Sequence, residues 1–76
     1  FAKKEWQESL ESYTAAIEAN PTDATFYSNR SACFMLVGQP EDALKDSVIA
    51  RQLRPTWPEA CFRMAVARLE LARYQV

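Results

Sequence analysis

Residues 21–56 read PTDATFYSNRSACFMLVGQPEDALKDSVIARQLRPT, opening and closing on the same Pro-Thr pair at Pro21 and Pro55. Each proline ends a helical stretch, because the residue before a proline is pushed out of the α region. Between them the sequence predicts one helical hairpin. Thr22 or Asp23 offers a side-chain oxygen to the first free N–H groups of a helix that runs to about Val37. Gly38 stands where helices end in the left-handed conformation. Pro40 suits the first turn of the next helix, and Glu41 and Asp42 complement its dipole. Ala43, Leu44, Ser47, Val48, Ala50 and Leu53 give that helix a stripe of small and apolar residues before Pro55 stops it.

The flanks repeat the pattern. Upstream, Trp6, Leu10, Tyr13, Ala16 and Ile17 recur at helical spacing from Lys4 to Ala19, with Glu5, Glu8, Glu11 and Glu18 on the other face. Downstream, Thr56-Trp57-Pro58-Glu59 predicts a capping box that opens a fourth helix. That helix continues through Phe62, Met64, Ala65, Leu69 and Leu71 to near Arg73, and Tyr74-Gln75-Val76 reads as the start of a further element. One glycine and four prolines in 76 residues leave little material for β-hairpins. The fold class is therefore all-α, about four antiparallel helices in one small unit. With 49% hydrophobic and 25% charged residues the chain is expected to fold and not to remain disordered.

Several function classes fall away on composition. Nine basic against ten acidic side chains give a net charge of −1, which argues against a general grip on nucleic acid. Histidine is absent, no glycine-rich phosphate loop appears, and no nucleophile stands beside a base, so the chain is read as not an enzyme and without a cofactor. Cys33 and Cys61 lie far apart in the sequence, each in an apolar stretch, and are read as core thiols of a reducing compartment, without a metal role. No apolar run approaches the length of a membrane span, and no signal-like start is seen. A soluble, cytoplasmic chain without a membrane partner is the expectation. Asp42 and Asp46 share a helix face and are read as solvated carboxylates. Arg51, Arg54, Arg68 and Arg73 are read as solvated or inter-repeat charges, and Ile49 and Trp57 as packing residues.

Laying Pro21 over Pro55 pairs Ser9 with Ala43, Leu10 with Leu44, Ala16 with Ala50, Ala19 with Leu53, Thr22 with Thr56 and Ser31 with Ala65. Trp6 and Tyr74 stand two such periods apart. Two helices per period of about 34 residues resemble the tetratricopeptide repeat family over essentially the whole chain. The signature positions of the middle unit are Tyr27, Ser31, Phe34, Gly38, Ala43, Ala50 and Pro55; those of the first are Trp6, Tyr13, Ala16 and Pro21. The resemblance implies a helical-hairpin solenoid with a partial repeat at 1–23, a complete one at 24–57 and a partial one at 58–76. Small residues (Ser31, Ala43, Ala50, Ala65) let helices approach closely, while Tyr13 and Phe34 fill the gaps. Pro40, Cys61 and Arg68 depart from the pattern and predict looser packing in the third unit. Repeats bury their faces only against neighbours, so the chain is read as a piece of a longer protein, with apolar ends through which copies can associate.

The resemblance also implies a groove lined by the first helix of each pair, here Ala24–Val37 and Pro58–Arg73. Thr25, Asn29, Ala32 and Leu36 share one face of the former; Glu59, Arg63, Val66 and Glu70 are their equivalents on the latter. Such a surface suits an extended or helical peptide. The run Tyr27-Ser28-Asn29-Arg30 is similar to that of co-chaperones whose carboxylate clamp holds the acidic tail of a heat-shock chaperone, ending Glu-Glu-Val-Asp. On that likeness Asn29 and Arg63 take clamp positions, while Glu59 stands where the clamp has a lysine. Glu59 reads either as a capping residue or as a ligand contact, and Arg63 either as a ligand contact or as an ion pair with Glu59. The alternative is an adaptor or scaffold for an unrelated partner, using Asn29, Leu36, Arg63 and Val66 without a carboxylate requirement.

Overall fold

The computed structural model describes residues 3–73, in four helices: α1 (Lys3–Ala19), α2 (Ala24–Leu36), α3 (Pro40–Leu53) and α4 (Pro58–Arg73). No strand occurs among the described residues. The expected all-α architecture stands, and every helix end falls close to its predicted place. The further element expected at Tyr74-Gln75-Val76 lies outside the described residues.

The turns show why the chain reverses where it does. Before α2 the cap is Asp23, whose carboxylate accepts the Thr25 N–H at 3.0 Å, while the Thr22 hydroxyl donates to Asn20 at 3.3 Å. The Tyr27 hydroxyl donates to the Pro21 carbonyl at 2.9 Å and ties this turn to the body of α2. After α2, Gly38 adopts φ +82°, the Gln39 N–H reaches the Phe34 carbonyl at 2.8 Å and the Gly38 N–H reaches Met35 at 3.2 Å. This paired closure is the left-handed glycine ending.

The expected capping box at Thr56 does not form. α4 starts at Pro58, which places Trp57 and not Thr56 in the cap position, and Glu59 turns to Arg63. Trp57 packs against the core and the Arg54 guanidinium lies 4.5 Å from its ring centroid. The packed indole fixes the turn, and proline needs no N–H partner at the first helical position.

The helices pack in chain order, α1 on α2, α2 on α3 and α3 on α4, with α2 also touching α4. Ile17, Ala24, Tyr27, Ala50 and Ala60 form the central cluster, backed by Phe26, Ile49 and Trp57. Fully buried Ser28, Ser31, Ala43, Ser47, Ala60 and Ala67 allow the close approach. The Ser31 hydroxyl donates to the Ala43 carbonyl at 2.8 Å across the α2–α3 hairpin. Cys33 is buried as expected. Cys61 and Ala65, expected inside, are exposed, because their side of α4 meets no other helix among the described residues.

Candidate docking groove between α2 and α4

Alternate helices α2 and α4 face each other across a shallow trough. Ala32, Met35 and Leu36 from α2 meet Phe62, Arg63 and Val66 from α4 around a cleft of about 250 Å³. Leu36 and Phe62 are 56% and 58% exposed, so two large apolar side chains stand in water at the rim. Covering them releases about 25 cal/mol for each Å² of apolar surface removed from water.

Of the predicted groove residues, Ala32, Leu36, Arg63 and Val66 therefore meet in one cleft. Thr25 is exposed at the start of α2, its N–H held by Asp23, and Asn29 is half-buried; neither lines the cleft. Glu59 stands one turn before Arg63 and faces it. Glu70 lies at a separate cleft of about 420 Å³ with Glu41 and Asp42, near the α2–α3 turn. Sequence spacing does not select Met35 and Phe62, although both stand beside a chosen position. A helix face about 100° wide admits them.

Arg63 dominates the electrostatics of the trough. Its Nη2 lies 3.6 Å from Glu59 Oε1, a partly exposed pair worth about 0–1 kcal/mol. Its guanidinium carbon sits 5.7 Å from the Phe62 ring centroid, and its Nε is buried with no hydrogen-bond partner among the described residues. The 3.6 Å contact to Glu59 is too long for a hydrogen bond, so the terminal guanidinium nitrogens keep donor capacity for a further carboxylate. Burial pushes the Cys33 thiol above its ordinary pKa, and the positive charge of Arg63 pulls it partly back.

Arg30, last of the Tyr27-Ser28-Asn29-Arg30 run, serves the fold and not the trough. Its Nε and Nη2 meet Asp46 Oδ2 and Oδ1 at 2.7 and 2.8 Å, and its Nη1 donates to Thr14 at 3.2 Å. One guanidinium therefore links α1, α2 and α3, flanked by the Tyr27 and Phe34 rings at 5.9 and 5.6 Å. The Asp46 hydrogen bond outweighs burial and holds the arginine pKa above its ordinary value. Asp46, expected to be solvated, has a side chain only 4% exposed.

The hydroxyls of Ser9, Ser12, Ser31 and Ser47 each donate to a backbone carbonyl. Among the described residues no His, Cys, Asp and Glu side chains gather as a metal site, and no helix is long and apolar enough to cross a membrane.

No family model matches the chain. It is 44% identical over 62 residues to human tetratricopeptide repeat protein 28, covering 82% of this chain and 2% of that protein. It is 38% identical over 74 residues to the rat E3 ubiquitin-protein ligase TTC3, covering 97% and 4%. It is 32% identical over 75 residues to the heat-shock protein cognate co-chaperone sgt12 of Aspergillus fumigatus, covering 99% and 22%. The chain thus spans a small part of each of these relatives. Stacked α-hairpins, together with likeness to proteins named for the repeat, give this chain the helical-hairpin fold of the tetratricopeptide proteins and support its place in that family.

Proposed function

We propose that the α2–α4 trough docks a segment of a partner protein. One apolar side chain of that segment seats among Leu36, Phe62 and Val66 while a carboxylate meets Arg63. The observation that carries this reading is the pairing of two exposed apolar side chains with a guanidinium whose contact to Glu59, at 3.6 Å, is too long for a hydrogen bond. The complete repeat within the chain is 24–57, and the trough lies between its first helix and that of the following unit.

The sharper form of the proposal makes the carboxylate the end of a chaperone tail of the Glu-Glu-Val-Asp type and places the chain in the cytoplasm. A relative named as a heat-shock cognate co-chaperone supports it. A second reading, an adaptor indifferent to chain ends, is favoured by Glu59, whose carboxylate already sits beside Arg63. Titration with a Glu-Glu-Val-Asp peptide and its C-terminally amidated twin separates the two. The tail reading predicts that the free acid binds more tightly and that Arg63→Ala weakens it. One charged hydrogen bond of about 1.5–3 kcal/mol corresponds to a loss of roughly ten- to a hundredfold. Equal binding of both peptides selects the adaptor, and no effect of Arg63→Ala or Phe62→Ala on either peptide removes the trough as the site.

A further inference from the structure

The trough does not stop at Val66. Met35 lines both it and the cleft of about 420 Å³ at the α2–α3 turn, so the two join into one groove alongside α4. Arg63, Val66 and Glu70 succeed one another on one face of α4 at helical spacing. Along that line the groove changes sign. Arg63 stands at the near end, faced by Glu59. Glu41, Asp42 and Glu70 meet at the far end, beside the apolar side chains of Met35 and Pro40, and no lysine or arginine lines the cleft there. Glu41 and Asp42 occupy the first turn of α3, whose dipole supplies only about half a positive charge against two carboxylates. Glu70 comes from another helix and pairs only with Arg73, at 3.2 Å, whose side chain is 72% exposed, so water screens that pair. The far end therefore keeps a surplus of negative charge.

Resting on the trough as the docking site, we propose that its occupant is a dipolar segment: a carboxylate at Arg63, an apolar anchor at Leu36, Phe62 and Val66, and a lysine or arginine at Glu41, Asp42 and Glu70. From Arg63 to Glu70 is two turns of α4, about 10 Å. An extended segment crosses that distance in about three residues, which sets the separation of its two charges. The cation lays its aliphatic stem along Met35 and Pro40 and delivers its head to the carboxylates. Opposite charges at the two ends also fix the direction in which the segment lies, because the reversed pose sets like charges together at both ends. A short acidic tail uses the Arg63 end alone and leaves the acidic end unmatched. The charge pattern thus favours an internal segment of mixed charge, in line with the adaptor reading.

Selection from a random dodecapeptide library displayed on phage, against the wild type, Arg63→Ala and Glu70→Lys, tests this, with dissociation constants then measured for the selected peptides. The wild type is expected to enrich peptides in which an acidic and a basic residue stand about three apart with an apolar residue between them. Those peptides should bind Glu70→Lys about tenfold more weakly, and Glu41→Lys, which leaves α4 untouched, should weaken them as well. Exchanging the peptide's cation for glutamate should weaken binding to the wild type and strengthen binding to Glu70→Lys. Circular dichroism verifies that the variants keep their helices. Enriched peptides that need Arg63 but carry no cation, or whose cation is indifferent to both Glu70→Lys and Glu41→Lys, overturn the dipolar occupant and leave the trough standing. Enrichment indifferent to Arg63→Ala, or no enrichment at all, removes the trough and this proposal with it.

Discussion

Replacing Asp46 with alanine removes both hydrogen bonds of the Arg30 fork, at 2.7 and 2.8 Å, from the point where α1, α2 and α3 meet. Arg30 is left with its Thr14 contact and two aromatic neighbours. Breaking a buried pair from one side costs about 3–5 kcal/mol, chiefly because an uncompensated charge stays behind. The Arg30 side chain retains 19% exposure, so water relieves part of that penalty and the low end, about 3 kcal/mol, applies. A chain of this size holds roughly 4–11 kcal/mol in total, so the loss is a large share of it. Urea unfolding followed by circular dichroism is the assay, and the midpoint should fall with no change in slope. The double variant Arg30→Met/Asp46→Leu removes both charges and should return to within about 1.5 kcal/mol of the wild type. A single-variant loss below about 1 kcal/mol, or a double variant as unstable as the single, would refute the assignment of the fork as a staple between helices.

Four further outcomes follow from other residues. Gly38→Ala should cost about 1 kcal/mol in the same assay: no atom stands within 4 Å of an added Cβ, so backbone strain at φ +82° is the whole effect. Phe62→Ala should weaken peptide binding while moving stability by less than about 0.5 kcal/mol, since the ring is already mostly in water. In the native protein a thiol reagent should label exposed Cys61 and spare buried Cys33 until urea is added. Because burial raises the Cys33 pKa in the folded state, its contribution to stability is present below the ordinary thiol range. That contribution is lost as pH rises through the range, visible as a falling unfolding midpoint in wild type but not in Cys33→Ala.

Proline and glycine make the fold legible. Pro21, Gly38, Pro40 and Pro55 act through their own backbone restrictions, so their effect is local and readable without a partner. At Pro58 local spacing misleads: Thr56 and Glu59 stand as a capping box would have them, yet what decides the turn is Trp57 reaching the core, a tertiary event. The trough is half legible. Helical spacing puts Thr25, Asn29, Ala32 and Leu36 on one face and the repeat offset carries them to Glu59, Arg63, Val66 and Glu70, but only Ala32, Leu36, Arg63 and Val66 of these line the cleft, because where two helices approach is a tertiary matter. The Arg30–Asp46 fork is not visible at all. Two residues on different helices meet only when the α2–α3 register is fixed, and nothing local to either one announces it.

Backbone amide shift mapping by NMR, with the Glu-Glu-Val-Asp peptide added stepwise, tests the docking trough most directly. The account predicts that the perturbed amides cluster at Ala32, Leu36, Phe62, Arg63 and Val66. Perturbations gathered instead around Glu41, Asp42 and Glu70, or along α1, would contradict it.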